Sequence, residues 1–126
     1  MKKPNNINRS VRGLNTKVSF EGNVMTVQLF GDIDHHNAKG IREQTDRLIQ
    51  QKKPHELRLD FSSVSFMDSS GIGLIMGRYR LMGLYGGYLK VVNVPEALEK
   101  VMILSGLGAL NIIIKERQET ICDSCK

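Results

Sequence analysis

No apolar run in this 126-residue sequence approaches the roughly 20 residues that a membrane-spanning helix needs. Its longest apolar stretches are broken by Arg78, Arg80 and Gly83. The N-terminus is polar, so no signal peptide is expected and the default location is the cytoplasm. Cysteine is scarce as well: the two present, Cys122 and Cys125, share one Cys-x-x-Cys. A redox pair of that spacing belongs at a helix start after a strand, and with no second Cys pair a zinc site would need His35 and His36, or a second chain. Both thiols are therefore expected to be reduced side chains on a polar tail, without metal.

Catalytic signatures are missing too. Ser69 and Ser70 stand in Asp-Ser-Ser-Gly, which is not the Gly-x-Ser-x-Gly of a nucleophile elbow. The only histidine besides His35 and His36 is His55, expected at the distant start of a strand. Gly71-Ile72-Gly73 is not followed by Gly-Lys-Thr/Ser, which excludes a P-loop. Asp34-His35-His36 has the letters of some metal-dependent phosphoesterases. Adjacent histidines diverge on a helix, however, and the further aspartates that such enzymes spread along a longer chain are lacking. No catalytic residue, metal or cofactor is expected, and Asp34 reads as a helix cap.

What is present is a single domain of ordinary composition, 40% hydrophobic and 25% charged. The formal charge of +5 is segregated: Lys2, Lys3, Arg9, Arg12 and Lys17 precede the first acidic residue, Glu21. The remaining 13 basic residues balance all 13 acidic ones. The excess belongs to a tail with no interleaved aromatics, so direct nucleic-acid binding is not expected. Residues 1–13 read as a flexible basic lead-in, 14–117 as the domain and 118–126 as a polar tail.

Along the domain, Leu14–Phe20 and Val24–Phe30 alternate as strands around a Glu21-Gly22-Asn23 turn. On the second strand Met25, Val27 and Leu29 share one face. Gly31 to His36 reads as a loop into an amphipathic helix carrying Ala38, Ile41, Thr45, Leu48 and Ile49. Lys52, Lys53 and Pro54 stop that helix, and Gly40 weakens it slightly. Leu57–Phe61 is a short strand. A second helix follows from about Ser69 to Leu84, with Ile72, Ile75, Met76, Tyr79 and Met82 as a buried stripe beside Leu74 and Leu81. Gly73 and Gly77 would form a bare strip for close packing. Tyr88–Val94 is a strand, and Pro95 opens a third helix with Leu98, Val101, Met102 and Leu104 on its apolar side. Gly106 ends it, and Asn111–Ile114 is a last short strand. Strands alternating with helices after a hairpin indicate an α/β fold with a mixed sheet, mostly parallel beyond the first strand.

The organising stretch is Ser65–Tyr79, SFMDSSGIGLIMGRY. Asp68-Ser69-Ser70-Gly71 leads from strand to helix, and Asp and Ser hold the open N–H groups of a first helical turn. A phosphate on a serine there would meet N–H donors and the positive end of the helix dipole.

Those residues carry a family resemblance. Gly31-Asp32-Ile33-Asp34-His35-His36, Ser65 through Gly73 with Gly77-Arg78-Tyr79, and Ser105-Gly106-Leu107 resemble the STAS domain, most closely bacterial anti-sigma factor antagonists of the sporulation type. The likeness runs from about Leu14 to Arg117. The longer basic lead-in, the Cys-x-x-Cys tail and Gly40 depart from the family pattern. The resemblance implies a small mixed sheet of about five strands with helices mainly on one face, and a monomeric binding module without catalysis. The unphosphorylated form would bind an anti-sigma factor that is also a serine kinase, and so free a sigma factor. Phosphorylation of Ser69 would end that binding, and a metal-dependent serine phosphatase would restore it. Asp34, His35, Asp68, Ser69, Ser70 and Gly71 are the implied partner-binding residues. The alternatives are a STAS protein of another partner-switching circuit, for stress response or phosphatase control, and a small hydrolase.

Overall fold

The computed structural model describes residues 16–114. Residues 1–13, the polar tail and both cysteines lie outside them. Five strands, β1 (Thr16–Glu21), β2 (Val24–Ile33), β3 (Glu56–Met67), β4 (Tyr88–Val92) and β5 (Ile113–Ile114), form one sheet in the order β1-β2-β3-β4-β5. The β1–β2 hairpin is antiparallel and the other pairings are parallel. Helices α1 (Ala38–Lys52), α2 (Ser69–Leu84) and α3 (Glu96–Leu104) make the crossovers. The strand order advances in one direction, so right-handed crossovers place all three helices on one face.

Burial follows that one-sided design. In register across the sheet, Met25, Leu57 and Leu89 form one buried row, and Val27, Leu59 and Val91 the next. Ile41 and Ile49 of α1, Ile72, Ile75 and Met82 of α2, and Leu98 and Met102 of α3 cover them. Each such side chain contributes roughly 1.5–3 kcal/mol on burial. A buried hydrogen bond from Thr16 Oγ1 to Gln44 Oε1 (2.9 Å) ties β1 to α1.

The opposite face is polar and half-exposed. On it Glu56, itself buried, holds Arg58, the Tyr88 hydroxyl (3.0 Å) and Lys90 (3.8 Å). Burial pushes the Glu56 carboxyl up. Hydrogen bonds from Arg58 and Tyr88 and the charges of Arg58 and Lys90 outweigh that, so it titrates below the ordinary glutamate value. The same contact raises the Tyr88 phenol.

Several expectations are corrected. β3 runs to Met67 rather than ending at Phe61, and β2 reaches Ile33, so Gly31 to Ile33 are strand. The cause is a pair of bulges: the register steps from Gln28/Asp60 to Phe30/Ser63, then from Gly31/Val64 to Asp32/Phe66. Each inserts an extra residue into β3 and replaces two-residue alternation with the buried triplet spacing of Phe61, Val64 and Met67. Gly31 takes φ +77 beside the second bulge. Further along, β4 stops at Val92, and a 3₁₀ turn over Leu107–Leu110 shortens the last strand to Ile113–Ile114. On α3 only Leu98 and Met102 are buried; Val101 and Leu104 face solvent, because a helix on the edge of a one-sided sheet has no second layer to meet.

Candidate functional site: the strand-edge turn before the second helix

The parallel strands β2 and β3 end side by side, with Ile33 opposite Met67. Each then turns into a helix, so the turns starting at Asp34 and Asp68 are neighbours at the same sheet edge. The Asp68 N–H donates to the Ile33 carbonyl (3.1 Å), which fastens the two turns together.

Asp68 is the N-cap of α2, as expected from the sequence. Its backbone is extended and its Oδ1 accepts from the Ser70 N–H at 2.7 Å. Substituting such a cap by Ala costs about 1 kcal/mol. Ser69, the first helical residue, is exposed, and Ser70 is half-buried. Gly71 is buried because nothing larger fits: a Cβ there would collide with the Met67 side chain and lie 3.3 Å from Ile33 Cγ2. Close approach, rather than a special φ, requires this glycine.

Asp34 is not the N-cap of α1; that position is Asn37. Asp34 instead closes the turn before the helix, its Oδ1 accepting from the N–H groups of His36 (2.9 Å) and Asn37 (3.2 Å). The Asn37 side chain returns the bond, its Oδ1 accepting from the Asp34 N–H at 3.0 Å. An Asx turn uses up the carboxylate three residues early, which is why composition alone misplaced the cap. The His35 and His36 rings are in contact, centroids 4.1 Å apart and tilted by 35°, and no group of three potential metal ligands exists among the described residues.

Between α1 and α2 runs a groove of about 340 Å³, lined by His35, Ala38, Lys39, Arg42, Ser70, Gly73 and Leu74. Lys39 and Arg42 of α1 thus border the start of α2. Gly73 and Gly77 do not serve close packing; a Cβ at either would meet nothing within 4 Å beyond the helix itself. Their strip opens outward, and at Gly73 it reaches the groove. Tyr79 is exposed rather than buried, and Arg78 takes the inner place. Its guanidinium reaches Asp46 of α1, with Nε 2.8 Å from Oδ1 and Nη2 donating to Oδ2 at 3.4 Å, while Nη1 donates to the Leu74 carbonyl at 3.5 Å. Burial lowers the Arg78 pKa, Asp46 opposes that, and Arg42 adds to the lowering; the group remains a cation.

All six sequence-selected residues, Asp34, His35, Asp68, Ser69, Ser70 and Gly71, therefore gather at one sheet edge. His55 does not: it precedes β3 at the opposite edge, roughly 40 Å of strand away, and so cannot serve either serine as a base. No helix among the described residues is long and apolar enough to cross a membrane.

The family model for the STAS domain matches residues 15–121. The chain is similar to the anti-sigma F factor antagonist of Paenibacillus polymyxa, 35% identical over 96 residues, which cover 75% of this chain and 82% of that protein. Against the anti-sigma-B factor antagonist of Bacillus subtilis (strain 168) the identity is 33% over 94 residues, covering 75% and 84%. Among solved structures, the anti-sigma factor antagonist SpoIIAA in its unphosphorylated form superposes with a TM-score of 0.71 at 30% identity. That match covers 83% of this chain and 92% of that one. SpoIIAA in the phosphorylated form gives 0.65 at 30% identity, covering 83% and 96%.

Proposed function

The chain belongs to the STAS domain family, and from that premise we propose that it is an anti-sigma factor antagonist switched by phosphorylation of Ser69. In this reading the unphosphorylated protein binds an anti-sigma factor that is itself a serine kinase, in the cytoplasm, and so releases a sigma factor. The kinase transfers phosphate to Ser69, the complex separates, and a metal-dependent serine phosphatase resets the cycle. The chain performs no catalysis; it is substrate and binding module in turn.

The observation that carries this reading is the exposed Ser69 on the first turn of α2, beside an Asp68 whose carboxylate is engaged by the helix. A kinase can reach the hydroxyl without opening the fold. The phosphate adds roughly −1.5 to −2 charges where helix N–H groups and the dipole favour them. To a partner surface shaped for a neutral hydroxyl, the same dianion next to Asp68 and near Asp34 presents repulsion and a desolvation cost. A penalty of about 3 kcal/mol would lower affinity roughly a hundredfold. Asp34, His35, Asp68, Ser70 and Gly71 form the rest of the contact surface.

The test is incubation with ATP and the anti-sigma F factor of Paenibacillus polymyxa, followed by mass spectrometry and affinity measurement. Phosphate is expected on Ser69; Ser69→Ala should bind and stay unmodified, and Ser70→Ala should still be phosphorylated. Phosphate on Ser70 alone, or a phosphorylated form that binds as tightly as the free one, would overturn the switch. The similarity to an anti-sigma-B factor antagonist supports a second reading, a stress-response circuit. Competition between the F-type and B-type anti-sigma factors for this chain decides between them.

A further inference from the structure

The second bulge in the β2–β3 ladder turns an aromatic side chain outward just before the phosphoacceptor. Val64 and Met67 point into the core, while Phe66, paired with the exposed Asp32, is 52% exposed. A lone exposed aromatic is ordinary on a protein surface. Phe66 differs from the others in this chain. Phe20 lies under the Lys52 ammonium (5.8 Å), Tyr85 under Lys53 (5.7 Å) and Tyr88 under Lys90 (5.5 Å). Tyr79 is less exposed and has a hydroxyl to solvate. Among the described residues no cation or ring is recorded over Phe66, so the most exposed Phe or Tyr ring among them is also a bare hydrocarbon face.

Its position supplies the occupant. Three residues of chain span at most about 11 Å, so Phe66 lies within that distance of Ser69. A protein partner of standard size covers roughly 800 Å² on each side, a patch of about 16 Å radius. An interface of that radius centred on Ser69 has the reach to include Phe66. Binding energy in such interfaces concentrates in a few desolvated aromatic anchors near the centre. We infer that Phe66 is the anchoring side chain of the interface with the anti-sigma kinase, which must present an apolar pocket to it beside the Ser69-binding cleft. The inference rests on the reading of Ser69 as the kinase's target, and adds the residue that gives the complex its affinity.

The full chain and its Phe66→Ala, Phe66→Leu and Phe20→Ala variants would be titrated against the Paenibacillus polymyxa anti-sigma F factor with ADP present. Folding would be checked by circular dichroism and thermal melting. Phe66→Ala should raise Kd about thirtyfold or more, the factor that corresponds to about 2 kcal/mol, with an unchanged melt. Phe66→Leu should fall between wild type and Phe66→Ala. Phe20→Ala removes an exposed ring from the end of β1, beside the start of β2 at the opposite sheet edge, and should leave Kd unchanged. A Kd for Phe66→Ala within threefold of wild type, or an equal loss on Phe20→Ala, would overturn the anchor while leaving the switch standing. Should Phe66→Ala fail to fold, the Leu variant decides by the same comparison, a Kd within twofold of wild type counting against the anchor. Sedimentation of the chain alone checks for a second copy as occupant; self-association abolished by Phe66→Ala, with kinase affinity retained, would refute the inference. Wild-type protein that neither binds the kinase nor accepts phosphate would defeat the switch itself, and the anchor with it.

Discussion

Removing Asp46 should damage the domain far more than removing Arg78, although the two form one ion pair. Arg78 is 5% exposed, and its guanidinium has Asp46 and one long bond to the Leu74 carbonyl for company. Asp46→Ala leaves that cation buried and uncompensated, a situation that costs roughly 3–5 kcal/mol when the pair is fully enclosed. The Asp46 side chain is 29% exposed, so water can enter the vacated space, and the one hydrogen bond of the pair, Nη2 to Oδ2, is long at 3.4 Å. Both facts bring the expected loss to about 2–3 kcal/mol. For a domain of roughly 100 residues that is a fall in Tm of about 10–20 °C. Arg78→Met removes the charge and keeps most of the volume, while Asp46 turns to solvent, so its cost should stay below about 1 kcal/mol. The Asp46→Ala/Arg78→Met double variant should then recover most of the stability that Asp46→Ala loses. Thermal melts of the four proteins complete the cycle. Equal losses in the two single variants, or a double variant no better than Asp46→Ala, would refute the reasoning that a stranded guanidinium sets the cost.

Glu56 makes the domain acid-sensitive with a defined sign. Its folded-state pKa lies below the ordinary 4.5, so the stability it contributes is present above about pH 4.5 and is lost as pH falls through the folded value. Glu56→Gln should therefore be less stable than wild type at pH 7 and show a shallower decline of Tm between pH 5 and pH 3; parallel profiles would contradict this. Gly71→Ala should cost about 1–3 kcal/mol by overpacking against Met67 and Ile33. Adding Met67→Val should return part of it, and a Gly71→Ala melt equal to wild type would show that the turn has room to spare.

The second helix was legible from the sequence to the residue, because Asp68 is a strong cap and the apolar run begins at once. The strand before it was not. Phe61, Val64 and Met67 are all buried, yet a spacing of three matches neither strand alternation nor a helix of adequate length. Bulges are ladder properties, fixed by pairing with β2, and leave little local trace. The exchange of Tyr79 for Arg78 has a similar origin. An arginine reads as a solvent residue until a carboxylate from another helix, Asp46, is placed beside it. The candidate site residues were named through the family resemblance of their motifs, with the cap chemistry of Asp68 in agreement. Lys39 and Arg42 were not, since their groove exists only where α1 meets α2. Phe66 left a faint signal: a large aromatic out of phase with its buried neighbours.

The bonds at the start of α2 bear on how a switch at Ser69 can work. The helix start is held by Asp68 Oδ1 on the Ser70 N–H, by the Asp68 N–H on Ile33, and by Gly71 seated against Met67. None of these uses the Ser69 hydroxyl. A phosphate on that hydroxyl removes no bond that fixes the turn, and the helix dipole favours its charge by roughly 0.3–1 kcal/mol. The effect on the fold is therefore small and of stabilising sign. The effect on a bound partner is a desolvation and repulsion cost several times larger. On the proposed reading the two states differ in surface charge over an unchanged backbone, and the partner rather than the domain must distinguish them. That division also explains why the neighbouring serine makes a poor switch. Ser70 donates its N–H to the cap and its side chain lines the groove, so a phosphate there would press on Asp68 and on the α1–α2 packing together.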